Sequence, residues 1–170
     1  GTSVGGKCVF DLPGYGTWSL YATLNGQTTA TETVVVDQVK QYAVTLSYFA
    51  ATLTVSAKAG TVVTASCNGT TYSGTAASTG KATITIKKVG TYTVTGVYSG
   101  VASNSASVSV TTNGGSYTAS LSFITLTVTV DTGSTITVKN GSTTLTDTST
   151  GSNTFYLPNT GTWEVTAWLN

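Results

Sequence analysis

The sequence predicts an all-β protein built from tandem small β-sandwich repeats of about 73 residues. Three observations predict this fold: apolar and polar residues alternate along short segments, turn signals separate those segments, and blocks of similar sequence recur along the chain. No window has the sustained 3.6-residue period of an amphipathic helix, so we predict no long helix.

The alternation of apolar and polar residues is clearest in three segments. Residues 52–57 alternate Leu, Val and Ala with Thr and Ser, and residues 125–130 alternate Leu and Val with Thr. Residues 163–169 alternate Trp, Val, Ala and Leu with Glu, Thr and Trp. Strict alternation is typical of a strand with one buried face, and β-branched Val and Thr favour an extended backbone. We therefore predict strands in all three segments.

Turns between the strands are indicated by four Asn-Gly pairs. Such a pair readily adopts the positive φ angles that a tight hairpin requires. The pairs are Asn25-Gly26, Asn68-Gly69, Asn113-Gly114 and Asn140-Gly141. With one strand about every ten residues, each repeat would hold six or seven strands, which is the pattern of a β-sandwich.

Blocks of similar sequence define the repeat. Residues 6–25 and 151–170 are identical at ten of twenty positions, and residues 80–100 hold a weaker copy. A glycine that these copies share recurs in steps of 74 and 71 residues, at Gly16, Gly90 and Gly161. The tetrad Thr-Leu-Thr-Val at 52–55 recurs 73 residues later at 125–128. A closing block also recurs, because residues 42–48 match residues 117–123.

We predict three parts in the chain. Residues 51–123 form a complete repeat, residues 1–50 hold the back strands of another, and residues 124–170 hold the front strands of a third. A sandwich that lacks strands exposes unpaired backbone and an apolar inner face. We therefore expect the back strands in 26–50 to pair beside the front strands in 124–150 of a neighbouring chain, or of the same chain folded back. The alternative is that the unit boundary lies elsewhere and fewer strands are missing.

The order of these blocks resembles a known type of repeat. The run TLTV, a glycine, Asn-Gly, and then F-x-LP-x-x-GTW-x-V-T-A is similar to small immunoglobulin-like or PEGA-like β-sandwich repeats. These repeats occur in tandem in surface proteins of Gram-positive bacteria and in structural proteins of their phages, including tail proteins. The resemblance implies modular structural or adhesive use and transfers no site residues.

The composition excludes several classes of function. The chain has no His and no Arg, a formal net charge of +1 and only 8% charged residues. Without His there is no Ser-His-Asp triad, no Cys-His dyad and no His-ligated zinc. A near-neutral chain without Arg does not suit a surface that tracks nucleic-acid phosphates. We therefore expect no nucleic-acid partner. No stretch is long and apolar enough for a membrane helix, so we also expect no membrane insertion.

The carboxylates and cysteines do not indicate a catalytic or metal site. The carboxylates are Asp11, Glu32, Asp37, Asp131, Asp147 and Glu164. None recurs at the same repeat position, and no run has the spacing of a calcium loop, so we expect no catalytic residue, metal or cofactor. Cys8 and Cys67 fall at non-equivalent repeat positions, which excludes a disulfide common to the repeat. They are interpreted as inert thiols, with a bridge between units as the alternative.

Aromatic residues are the remaining candidates for a binding surface. Trp18, Tyr92 and Trp163 share one inward repeat position and are interpreted as core anchors. Trp168 and Tyr21 lie on the outward face of the corresponding strand and are candidate interface residues. The alternative is that these two side chains pack under a loop or against an adjoining unit.

These observations predict a non-catalytic structural or adhesive module. The Thr-rich, Lys-only composition is typical of extracellular, cell-surface or virion proteins, and the chain would be part of a longer repetitive protein. Its expected partners are other copies of itself, arranged head to tail, or neighbouring repeats, with a cell-surface glycan as a further partner. The alternative is a carbohydrate-binding module or an accessory domain of a secreted enzyme.

Overall fold

The computed structural model describes residues 1–169. These residues form strands, turns and irregular segments without a helix, which confirms the predicted all-β class. In this part of the chain no helix could cross a membrane. The chain divides into two compact units, Gly1–Ala50 and Ala51–Asn170, each with its own sheets.

The first unit holds four short strands and a long irregular segment. The strands are β1 (Gly16–Leu20), β2 (Thr23–Leu24), β3 (Gln27–Thr28) and β4 (Glu32–Val36). β1 pairs antiparallel with β4, and β2 pairs antiparallel with β3. The buried residues of this unit are Thr29 and Val36, so its core is very small. Residues 37–50 belong to no strand, although residues 42–48 alternate between exposed and partly buried.

Residues 51–123 contain eight strands. These are β5 (Ala51–Ser56), β6 (Val62–Cys67), β7 (Thr70–Thr75), β8 (Lys81–Ile86), β9 (Gly90–Tyr98), β10 (Val101–Ala102), β11 (Ala106–Val110) and β12 (Ser116–Ser120). In one sheet β5 lies between β8 and β12, and β12 runs parallel to β5. The other sheet has the order β10-β9-β6-β7, and β11 also pairs with β9. The sequence predicted six or seven strands, and the two-residue β10 accounts for the additional one.

The inner faces of these two sheets form the largest core of the molecule. Leu53 and Val55 from one sheet and Val63, Tyr92 and Val94 from the other are all 0% exposed. Their neighbours along each strand are mostly exposed Thr and Ser. The predicted alternation therefore corresponds to sheets with one buried and one exposed face, as in a sandwich.

Residues 124–169 contain five strands and a smaller core. The strands are β13 (Ile124–Thr129), β14 (Thr135–Asn140), β15 (Thr143–Thr148), β16 (Ser152–Leu157) and β17 (Glu164–Trp168). β13 pairs with β16, and β14 lies between β15 and β17. The core consists of Ile136, Val138, Phe155 and Leu157, and Trp163 packs partly buried against it. The strand predicted for residues 163–169 begins one residue later, at Glu164.

The Asn-Gly pairs lie in turns, as the sequence predicted. Asn25 and Asn68 have φ of 49° and 46°, and the glycine that follows each has φ of 76°. These two pairs are the loops of the β2–β3 and β6–β7 hairpins. Asn140 differs, because it ends β14 opposite Thr143 and the loop is formed by Gly141 and the residue after it. Asn113 lies in a turn in which the Gly115 N–H donates to the Thr112 carbonyl at 3.1 Å.

Candidate functional site

The first candidate surface is the open edge of β13. The Val130 N–H donates to the Gly151 carbonyl, so the backbone groups of every second residue along β13 face β16. The N–H groups of Thr125, Thr127 and Thr129 therefore face away from β16, toward an edge on which no strand of the described residues pairs. Unpaired strand edges of this kind are templates for a further strand.

The corresponding edge in residues 51–123 is covered. There β12 pairs in parallel with β5, which carries the same Thr-Leu-Thr-Val tetrad as β13. The Thr52 N–H donates to the Gly115 carbonyl, and the Leu121 N–H donates to the Ser56 carbonyl, both at 2.8 Å. The two edges differ because residues 124–169 have no strand in the place of β12.

The second candidate surface is β17, whose five residues are all exposed. Val165 is 41% exposed, whereas Val94 at the corresponding position of β9 is 0% exposed. Trp168 is 51% exposed, and its counterpart Val97 is 48% exposed, so both lie on an outward face. β11 pairs along the other edge of β9, whereas among residues 1–169 β17 pairs with β14 alone. This part of the chain therefore presents apolar side chains at a second open edge.

The third candidate surface is the segment 42–48 in the first unit. Tyr42, Val44 and Leu46 are partly buried and the residues between them are exposed, as in a strand, yet this segment pairs with no strand among the described residues. The Tyr42 hydroxyl accepts hydrogen bonds from the N–H groups of Asp37 and Gln38 at 3.0 Å. It also donates to the Asp37 carboxylate at 2.6 Å, which ties the start of the segment to the end of β4.

A tyrosine in β12 makes the same contact in residues 51–123. The Tyr117 hydroxyl accepts hydrogen bonds from the N–H groups of Thr111 and Thr112, both at 2.9 Å. Hydrogen bonds from the Thr111 side chain and from the two backbone N–H groups lower the pKa of Tyr117 to about 8, because they favour the charged phenolate. Tyr42 and Tyr117 are matched residues of the closing block, so one local geometry occurs in both units.

A second shared geometry involves a hydroxyl beside a two-residue turn. The Thr29 Oγ1 accepts a hydrogen bond from the Ala22 N–H at 3.0 Å. The Ser103 Oγ accepts one from the Gly96 N–H at 2.8 Å. The backbone N–H of each hydroxyl residue donates to the carbonyl of the same partner. Thr29 and Ser103 are 74 residues apart, the same step that separates Gly16 from Gly90.

An aromatic joint connects residues 51–123 to residues 124–169. The Tyr98 ring lies 4.9 Å from the Tyr156 ring and 6.1 Å from the Phe123 ring, between centroids. The Phe123 and Tyr156 rings are 5.8 Å apart and nearly perpendicular. The Lys58 Nζ lies 5.8 Å from the centroids of both tyrosines. The repeat pattern did not predict this joint; the available signal was Tyr98 and Phe123, aromatic residues that end two blocks of similar sequence.

A shallow groove lies beside the aromatic joint. Its volume is about 340 Å³, and it is lined by Ala102, Ser103, Asn104, Ser122, Phe123, Ile124 and Pro158. The Asn104 Oδ1 accepts a hydrogen bond from the Ser122 N–H, and the Asn104 N–H donates to the Ser122 carbonyl. Its lining contains no charged side chain and no nucleophile with an adjacent base, so the groove offers no catalytic chemistry.

The structure places the two predicted interface residues in different units. Tyr21 follows β1 directly and is 66% exposed, and Trp168 ends β17 and is 51% exposed. Of the three predicted core anchors, Tyr92 is fully buried, but Trp18 and Trp163 are only partly buried. The physical reason is the missing strands, because neither Trp18 nor Trp163 lies in a sandwich with two complete sheets.

The carboxylates and cysteines form no site among the described residues. No three of the His, Cys, Asp and Glu side chains in residues 1–169 are close enough to hold a metal ion, and the thiols of Cys8 and Cys67 are free. The Asp147 carboxylate accepts a hydrogen bond from the side-chain amide of Asn153 at 2.7 Å. Asn153 is buried at the position that alanine, Ala82, occupies in residues 51–123, so this contact satisfies a buried amide.

Comparison with known proteins identifies no relative. No protein-family model, no curated protein and no solved structure matches this chain. The sequence pattern and the geometry of the strand edges therefore carry the functional argument.

Proposed function

We propose that this chain is a non-catalytic structural module that holds immunoglobulin-like repeats of about 73 residues in a linear array. The array would belong to a longer extracellular or virion surface protein of the phage-tail type, and copies would associate head to tail. Its work is to space, stiffen or display, rather than to convert a substrate.

The course of the chain through residues 51–123 carries this proposal. β5 and β12 are parallel neighbours, with Thr52 opposite Ser116 and Ser56 opposite Ser120. The chain therefore enters the sandwich at one end, beside Thr52, and leaves at the opposite end, beside Ser120. Units connected in this way follow one another in a line instead of folding back, which is the arrangement that a spacer requires.

The aromatic joint supports a stiff connection. Three rings in edge contact resist bending, because each aromatic pair contributes about 0.5–1.5 kcal/mol beyond the burial of its area. Only the short segment Leu121–Phe123 separates β12 from β13, so the joint has little slack. A spacer with a short linker and a packed joint transmits orientation from one unit to the next.

Recurring local geometry supports the repeat. The clasp of Tyr42 and Tyr117 onto two backbone N–H groups occurs at matched positions of the closing block. The shared glycines have similar backbone angles, with φ of 140°, 157° and 140° at Gly16, Gly90 and Gly161. Matched residues that adopt matched geometry are what copies of one unit would produce.

The stiffness of the joint is the measurement that tests the proposal. In NMR residual dipolar couplings we expect residues 51–121 and residues 124–169 to share one alignment tensor. Tyr156→Ala removes the ring that bridges the joint and should divide this tensor into two. Thr154→Ala, on the same outward face of β16, is the matched control and should leave one tensor. Two independent tensors in the unsubstituted chain would contradict a stiff spacer.

Exposed aromatic rings support an adhesive role as the second candidate. Trp168 and Tyr21 present outward rings of the kind that stack on sugars or pack against proteins. A glycan array tests this role, with binding that Trp168→Ala removes as the supporting result. Saturable binding would favour the carbohydrate-binding alternative, and its absence would leave the spacer role alone.

A further inference from the structure

We infer that the open edge of β13 is the docking site for residues 42–46 of a second copy of this chain. The segment would add to β13 as a parallel strand and complete the sandwich that residues 124–169 begin. This inference rests on the proposed head-to-tail association and names the two surfaces that make it.

The complete repeat shows how such a segment covers the edge. β12 pairs in parallel with β5, with Tyr117 opposite Leu53 and Ala119 opposite Val55. Residues 42–48 match residues 117–123, and the tetrad of β5 matches that of β13. The same pairing would place Tyr42 opposite Leu126 and Val44 opposite Val128. The pairing of β12 with β5 therefore specifies the register of residues 42–46 beside β13.

The backbone groups on both sides are available. The N–H groups of Thr125, Thr127 and Thr129 face the open edge of β13, and residues 42–46 belong to no ladder. Pairing would add hydrogen bonds without breaking a ladder of the incoming segment. Strand addition of this kind obtains its affinity from main-chain hydrogen bonds and its specificity from alternate side chains.

The side chains also match in polarity. Tyr42, Val44 and Leu46 alternate inward, and the residues that they would cover, including Leu126 and Val128, are only partly buried. The corresponding residues of β5, Leu53 and Val55, are fully buried in a sheet in which β12 lies beside β5. Docking would therefore remove apolar surface on both copies from water, which is the main driving force for association.

The segment cannot reach β13 of its own chain. Four residues lie between Leu46 and Ala51, and the five Cα–Cα steps that join them span at most about 18 Å in an extended chain. In parallel register Leu46 would lie beyond Thr129, with the lengths of β5 and β13, together about 40 Å, in between. β13 leads away from the aromatic joint, and none of β13–β17 packs along β5–β12. The occupant must come from a second copy.

When the segment docks, β1 of the incoming copy would also replace β17 as the partner of β14. The Tyr42 clasp ties the incoming segment to β4, and β4 carries β1 with it. β1 and β17 correspond in the repeat, so β1 would take the place of β17 beside β14. β17 would lose its five-residue ladder with β14, which the ladder of β1 would replace, and its exposed side chains would lose little buried surface. Contacts formed head to tail need not close, so they generate chains of molecules.

Two variants, each defective on one surface, test the inference. Leu46→Asp places a charge on the inward face of the docking segment, with Thr45→Asp on its outward face as the matched control. Thr127→Pro removes an N–H from the open edge of β13. Thr146→Pro in β15 is the matched control. The Ser149 N–H donates to the Ser134 carbonyl, and N–H groups alternate in direction along a strand, so the Thr146 N–H faces away from β14. Its removal therefore breaks no hydrogen bond of the β14–β15 ladder.

Sedimentation velocity over a concentration series gives the readout. We expect the unsubstituted chain and both controls to grow into larger species as concentration rises. Leu46→Asp alone and Thr127→Pro alone should each remain at the monomer mass of 17.3 kDa. An equimolar mixture of the two should stop at twice that mass. The intact docking segment of Thr127→Pro can bind the intact β13 edge of Leu46→Asp, and the two surfaces that are left in this dimer are both defective. Amide spectra of β1 and β4 check that Leu46→Asp leaves the first unit folded.

Other results would overturn the inference in distinguishable ways. A monomer at every concentration would show that β13 accepts no second copy. Oligomers that persist in both variants, or a mixture that stays monomeric, would assign association to other surfaces. The stiffness of the joint is measured separately on the monomeric Thr127→Pro variant, so failure of docking and failure of the spacer role are told apart.

Discussion

Residues 51–123 and residues 124–169 have corresponding strands but unequal burial. Leu53 and Val55 of β5 are 0% exposed, whereas Leu126 and Val128 of β13 are only partly buried. The sequence of the two strands is nearly the same, so the difference comes from their neighbours. β11 and β12 cover the first core, and no strands in residues 124–169 take their places. Burial is decided by the completeness of the sandwich, not by the strand alone.

The comparison is sharpest at one repeat position. Tyr92 in residues 51–123 is 0% exposed, and its hydroxyl donates to the Lys88 carbonyl at 2.8 Å. Burial, followed by the nearby Tyr72 and Cys67, raises its pKa to about 12. Trp163 holds the same position in residues 124–169 but is partly buried, and its Nε1 has no hydrogen-bond partner. One inward position thus has two different environments.

The largest expected effect is at this position. Tyr92→Ala should lower the free energy of unfolding of residues 51–123 by about 3–5 kcal/mol, the usual cost of truncating a buried aromatic side chain. Trp163→Ala should lower the free energy of unfolding of residues 124–169 by about 1–3 kcal/mol, because the Trp163 side chain is only partly buried. Native-state hydrogen exchange in β6 and β14 measures the two parts separately. Equal losses would show that the two cores are equally complete.

A smaller effect is expected at the hydroxyls that accept a backbone N–H. Thr29→Ala and Ser103→Ala should each cost about 1–3 kcal/mol, because each leaves a backbone N–H without its partner. Thr29 is buried and Ser103 is partly buried, so the loss should be larger at Thr29. Thr29→Ser keeps the hydroxyl and is the control. Native-state hydrogen exchange of the amides in β1 and β9 measures the two losses.

The outward face of β17 should respond least to truncation. Trp168→Ala should change the stability of residues 124–169 by less than about 1 kcal/mol, because half of this side chain already contacts water. The control is Trp163→Ala on the inward side, which should cost more. A loss at Trp168 as large as that at Trp163 would mean that the face is covered in solution, as it would be at a contact between copies.

The strands and turns were predictable from the sequence because their signals are local. Alternation over residues 52–57 and 125–130 depends on side chains two apart, and Asn68-Gly69 depends on the φ angles of one pair. The eighth strand, β10, was not predictable, since a two-residue strand shows no period. The strand expected from residue 163 begins at Glu164, because its pairing with β14, and not the alternation of polarity, sets where it starts.

The candidate surfaces were only partly predictable. Matching the blocks indicated that back strands were missing from residues 124–170, but the partial burial of Trp18 and Trp163 depends on tertiary cover that no local pattern encodes. The aromatic joint lay outside the prediction because Tyr98 and Tyr156 come from non-corresponding repeat positions. Matching the blocks detects positions that are similar, whereas this joint is formed by positions that differ between residues 51–123 and residues 124–169.

The smallest expected effect concerns the two tyrosine clasps. Tyr117 accepts two backbone N–H bonds and its pKa is lowered to about 8, whereas Tyr42 also donates to a carboxylate. Because the folded pKa of Tyr117 lies below its ordinary value of 10.0, ionisation stabilises the folded state. This contribution is fully present above about pH 10 and is lost as the pH falls through about 8.

Absorbance titration of the phenolate checks this difference between the clasps. One tyrosine of the folded chain should ionise near pH 8, and Tyr117→Phe should remove that step while Tyr42→Phe leaves it in place. The stability difference between the unsubstituted chain and Tyr117→Phe should widen from pH 7 to pH 10, because only the former has the phenolate. Tyr92 should not contribute to the early step, since its pKa is raised to about 12. An early step that survives Tyr117→Phe would assign the lowered pKa to another tyrosine and would remove the electrostatic distinction between the two copies of the clasp.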